Sequence, residues 1–155
     1  MSYALLKSLH ILGVVLLLGN VIVTAWWKGM ANRSGDARII AFAQRQVTLT
    51  DWLFTLPGAA LIVASGDYIA YALIGNSWDI GWLTWGRLLF ITSGLIWLCA
   101  LVPIQIRQAR MARTFANDDR IPERYWRLNR WWYGLGIVAV LLPLANLYWM
   151  VFKPA

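Results

Sequence analysis

The stretch YALLKSLHILGVVLLLGNVIVTAWW, residues 3–27, decides the fold. Lys7 is its only full charge and His10 its only imidazole, and the next charged residue is Lys28. It is longer than the roughly 20 apolar residues a helix needs to cross a hydrocarbon core of about 30 Å. Three further runs follow: residues 47–74, with Asp51, Pro57 and Asp67 inside, then 80–106, then 131–152. Each is long enough to span. A spanning backbone must satisfy its own hydrogen bonds, which makes each run a helix. The reading is an all-α membrane protein, with residues 1–155 forming one four-helix transmembrane domain. Pro57 and Pro143 each remove a backbone donor and are expected to bend their helices, and Pro103 to do so near the end of the third.

Composition agrees. The 155 residues are 60% hydrophobic and only 14% charged, where an ordinary soluble domain has about 25% charged. Mean hydropathy is +0.57. The formal charge of +7 does not read as a nucleic-acid footprint, because the basic residues lie between apolar runs. Residues 28–46 carry Lys28, Arg33, Arg38 and Arg45 against Asp36. Residues 107–130 carry Arg107, Arg110, Arg113, Arg120, Arg124, Arg127 and Arg130 against Asp118, Asp119 and Glu123. The connection at 75–79 has no basic residue. Eleven of the 14 Lys and Arg residues therefore fall in two connections on one side. The positive-inside rule puts that side in the cytoplasm and both termini on the periplasmic side of a bacterial inner membrane.

Helical spacing of Arg38, Ala41, Arg45 and Thr48, and of Arg120, Arg124 and Arg127, suggests short surface helices in both connections. Their arginines read as snorkelling side chains at lipid headgroups, or as a dock for an acidic protein partner or anionic lipid. Trp26, Trp27, Trp126, Trp131 and Trp132 mark the inner interface, and Trp78, Trp82 and Trp149 the outer. Cys99 has no intrachain partner and reads as a small buried hydrophobe. The amino terminus lacks a small-residue cleavage pattern and reads as a span, not a removed signal.

Ionisable and polar groups inside the apolar runs are functional candidates, because lipid tolerates them poorly. His10, Asp67, Arg87 and Asn146 fall at similar depth near the termini. Asn20, Thr24, Asp51 and Thr55 form a second set nearer the basic connections. In the first span His10, Gly13, Leu17, Asn20 and Thr24 share one helical face. In the third, Arg87, Ile91, Gly94, Leu98 and Gln105 lie roughly together, although Gln105 drifts off the stripe. In the fourth, Gly136, Val140, Pro143 and Asn146 can share a face. Gly13, Gly94 and Gly136 would let backbones approach, or leave room for a flat cofactor. Asp51 would cap its helix, accept from Asn20, or pair with a loop arginine.

His10 would suit an axial heme-iron ligand, the one metal-binding role open to it, with Arg87 on a propionate or a quinone carbonyl. Equally, His10 would serve as an interhelical hydrogen bond. The chain lacks a phosphate-binding glycine loop, a cysteine–histidine cluster and a CxxCH heme-attachment motif.

The segments LKSLHILGVVLLLGN (6–20) and AFAQRQVTLTDWLFTLPGAALIVASG (41–66) closely resemble a family of small bacterial integral membrane proteins, domain of unknown function 2269. More distantly, the chain resembles copper-resistance membrane domains and HemJ-type protoporphyrinogen oxidases, which carry a histidine in a first-helix LH or FH context. That resemblance implies a heme bound through His10. Arg87, in WLTWGRLLF (82–90), stands where the HemJ type has lysine. The expectation is a heme- or cofactor-associated membrane protein, such as a redox accessory subunit. The alternative is a structural or assembly protein that binds lipid, a protein partner or further copies of itself.

Overall fold

The computed structural model describes residues 2–75, 77–118 and 120–153, so Asn76 of the middle connection and Asp119 of the second basic stretch lie outside the described residues. Four helices are long and apolar enough to cross a membrane: α1 (Tyr3–Ser34), α2 (Ala37–Leu73), α3 (Gly81–Phe115) and α4 (Glu123–Phe152). No strand occurs among the described residues.

The helices are longer than the apolar runs predict. At 1.5 Å per residue, the 32 residues of α1 extend about 48 Å, well beyond the hydrocarbon core. The two basic connections are thus mostly continuations of the spans, not separate surface helices. Gly35, at φ 68°, ends α1 in the left-handed conformation that glycine adopts without strain. The Asp36 carboxylate then accepts from the backbone N–H of Arg38 and Ile39 and starts α2. The chain reverses in two residues.

The helices alternate in direction. Lys153 lies 5.2 Å from the ring of Trp82, so the end of α4 sits beside the start of α3. One end of the bundle, the termini end, carries both termini and the middle connection. The other, the loop end, carries the basic connections. Toward the termini, α1 packs along α2 and α3 along α4, giving two hairpins. The hairpins join chiefly at the loop end, where the first half of α2 packs on the last half of α3. A core of Ala37, Ile40, Ala41, Ala112, Phe115 and Tyr125 closes that end. Phe115 and Tyr125 meet edge to face, 5.2 Å apart.

Within each hairpin the contact is tightest where side chains vanish. A Cβ on Gly13 would lie 2.8 Å from the Gly58 carbonyl oxygen, and one on Gly58 would lie 2.9 Å from that of Gly13. The α1 and α2 backbones touch here, as small residues permit. Gly94 and Gly136 behave oppositely, with nothing within 4 Å of an added Cβ.

Two prolines set the geometry between the hairpins. Pro57 and Pro103 cannot donate to the helical ladder, and each is preceded by one wide π-turn: Asp51–Thr55 and Trp97–Leu101. The ladder slips to a five-residue reach at Leu56 N–H to Asp51 oxygen and at Val102 N–H to Trp97 oxygen. In the third span Arg87 and Gly94 keep to the expected stripe, whereas Ile91 and Leu98 face outward. The extra residue per turn rotates the later positions, and Leu101, Gln105 and Gln108 become the buried ones. Two further corrections follow from the packing. Cys99 is exposed on the outer face of the bundle. Trp132 is buried in the core and does not sit at the rim.

Candidate functional site

The π-turns face each other across the bundle and bring Asp51 of α2 to Trp97 of α3. Asp51 is 5% exposed. Its Oδ1 accepts from Asn20 Nδ2 at 3.2 Å and from the Thr55 hydroxyl at 2.9 Å. Its Oδ2 accepts from Gln105 Nε2 at 2.8 Å and from the Trp97 indole N–H at 3.4 Å. Asn20 also donates to Thr55 Oγ1 at 2.9 Å. A carboxylate holding four donors has replaced its hydration shell with protein. Of the roles open to Asp51 in the sequence, acceptance from Asn20 is realised, and its recorded partners include no arginine.

Nearer the loop end lies a group the sequence reading missed. Lys28 is 1% exposed, although it reads as the first residue of a basic loop. Its ammonium donates to Gln44 Oε1 and, at 3.1 Å, to Gln108 Oε1. It sits 4.2 Å from the Trp132 ring centroid and 6.0 Å from that of Tyr125. Every helix therefore contributes: α1 the cation, α2 and α3 the amide acceptors, α4 the aromatic faces. The signal was present as spacing, since Asn20, Thr24 and Lys28 recur every fourth residue on α1 and Gln44, Asp51 and Thr55 share one face of α2.

Between the hairpins, beside this polar seam, is a cavity of about 940 Å³. Its apolar walls include Leu17, Val21, Phe90, Val140 and Pro143, with Gly94 and Gly136 giving it width. Trp97 and Trp132 offer aromatic surface, while Thr24, Asp51, Thr55 and Gln105 form its polar side. Most of these polar groups already have protein partners: the Thr24 hydroxyl donates to the Asn20 carbonyl at 2.7 Å, and Ser93 to that of Ala139 at 2.7 Å.

The four residues expected at similar depth near the termini do lie in that half of the bundle, each with its own partners. His10 Nδ1 bonds the Ile62 carbonyl at 3.1 Å and the Ser65 hydroxyl at 3.1 Å, both on α2. Its ring lies against Gly66, where a Cβ would come within 3.0 Å of it. Arg87 Nε pairs with Asp67 at 3.3 Å, and its guanidinium lies 4.7 Å from the Trp78 ring centroid. Asn146 packs on Gly86, whose added Cβ would meet its Oδ1 at 2.7 Å. The recorded bonds thus form separate pairings.

His10 is absent from the cavity wall. The residues lining the cavity therefore do not fit a heme held there through His10. Among the described residues, no group of three or more His, Cys, Asp or Glu side chains gathers to hold a metal ion.

No curated protein and no solved structure matches the chain. One family model does, over residues 4–154, with the description "Predicted integral membrane protein (DUF2269)". The four spanning helices and this match over nearly the whole length establish that the chain belongs to the DUF2269 family of integral membrane proteins.

Proposed function

We propose that the protein is a membrane-embedded binder of a lipid-soluble small molecule, held between its two hairpins. The observation that carries this reading is the cavity of about 940 Å³, apolar along its walls and polar on one side. Ligand sites have this make-up: mostly hydrophobic lining, a few convergent polar groups, and a volume of roughly 300–1,000 Å³. The chemical class that suits it is a ring with a hydrogen-bonding head and an apolar tail, such as a quinone. Trp97 and Phe90 would cover the ring, the second amide hydrogen of Gln105 would meet the head, and the tail would leave toward lipid between α1 and α4. The saturated bonding of Asp51 favours a positioning role for the carboxylate, which holds Gln105 and Trp97 in place. The loop end, with its arginines, is read as cytoplasmic and the membrane as a bacterial inner membrane.

The test is saturable quenching of tryptophan fluorescence by a short-tailed benzoquinone added to protein in mild detergent. Gly136→Leu has room for its side chain and would fill the cavity. It is expected to weaken binding at least about tenfold, as loss of a well-filled apolar site does, without lowering the melting temperature. No saturable quenching by the wild-type protein, or equal quenching in Gly136→Leu, would overturn the reading.

A further inference from the structure

A second depression lies between the last third of α1 and the start of α2. It is a groove of about 520 Å³ lined by Trp27, Met30, Ile39, Phe42, Ala43 and Gln46. Its large side chains are exposed: Trp27, Met30, Ile39 and Phe42 all present apolar surface. The groove sits where the apolar run of α1 ends and the basic stretch begins, so it occupies headgroup depth. On α2 the spacing Arg38, Phe42, Arg45 puts both arginines on the edge of the groove that Phe42 forms. The Arg45 guanidinium lies 5.9 Å from the Phe42 ring centroid, which fixes it beside the apolar floor. The nearest acid in sequence, Asp36, spends its carboxylate on the backbone N–H groups of Arg38 and Ile39. The buried Lys28 faces the core, and among the described residues no salt bridge occupies Arg38 or Arg45.

We infer that this groove binds one anionic phospholipid, its phosphate held by Arg38 and Arg45 and an acyl chain lying along Ile39, Phe42 and Trp27. Charge complementarity selects this occupant. An apolar trough at headgroup depth, bordered by two arginines whose charge is not cancelled locally, discriminates for a negative head over a zwitterionic one. Arginine also matches phosphate oxygens in two-point geometry.

The experiment is native mass spectrometry of protein released from nanodiscs of equal phosphatidylglycerol and phosphatidylcholine. Wild-type protein is expected to retain phosphatidylglycerol over phosphatidylcholine on the order of tenfold, the scale of two arginines at an anionic surface. In Arg38→Gln/Arg45→Gln the preference should fall to near unity with the melting temperature unchanged. Phe42→Ala should lower retention of both lipids. Arg107→Gln/Arg110→Gln, which removes the same charge elsewhere at the loop end, should keep the preference. Equal retention of the two lipids by the wild-type protein would overturn the inference. So would a preference that survives Arg38→Gln/Arg45→Gln or is lost equally in Arg107→Gln/Arg110→Gln, and so would a lipid-free dimer.

Discussion

The Lys28 ammonium has left water, and its hydrogen bonds go to two uncharged amide oxygens, those of Gln44 and Gln108. Two neutral acceptors and a π face replace only part of a lysine's hydration. Lys28→Met leaves the Gln44 and Gln108 amide oxygens without that donor, and Asp51→Asn removes the acceptor that holds four donors. Each is expected to cost about 1–3 kcal/mol of stability. Thermal unfolding in one detergent reads both, and melting temperatures equal to wild type would contradict these roles. The burial of Lys28 was hidden in the sequence because a lysine at the end of an apolar run reads as a snorkelling interfacial residue. Its burial depends on α1 continuing to Ser34 inside a bundle, which hydropathy alone does not report.

At the scale of the elements, close approach and open space are divided among the glycines. Gly58→Leu would drive a side chain into the Gly13 carbonyl and the Leu17 backbone nitrogen, each 2.9 Å from an added Cβ. Backbone cannot yield as a flexible side chain does, so a loss at the upper end of the 1–3 kcal/mol typical of overpacking, or failure to fold, is expected. Gly94→Leu, with nothing within 4 Å of its Cβ, should leave the melting temperature unchanged. Equal melting temperatures for wild type, Gly58→Leu and Gly94→Leu would contradict the packing of α1 on α2. The existence of four spans was legible from run length, and the face of α1 from the spacing of His10, Gly13, Asn20 and Thr24. The face of α3 was legible only in part, because the π-turn before Pro103 shifts the register and turns Gln105 and Gln108 inward. A proline six residues after Asp51 and another six after Trp97 (51 to 57, 97 to 103) were visible. Their consequence, two wide turns facing one another, needed three dimensions.

For the whole molecule, the two hairpins are fastened at the loop end and stand apart toward the middle of the membrane. The fastening is a polar seam and the Phe115–Tyr125 core, and the separation leaves the cavity. The most direct measurement is a high-resolution density map of the protein in lipid nanodiscs, without added ligand. Elongated non-protein density between α1 and α4, reaching from Pro143 to the side chain of Gln105, is expected. Helices closed together, with Val21 packed on Val140 and no space between them, would contradict it.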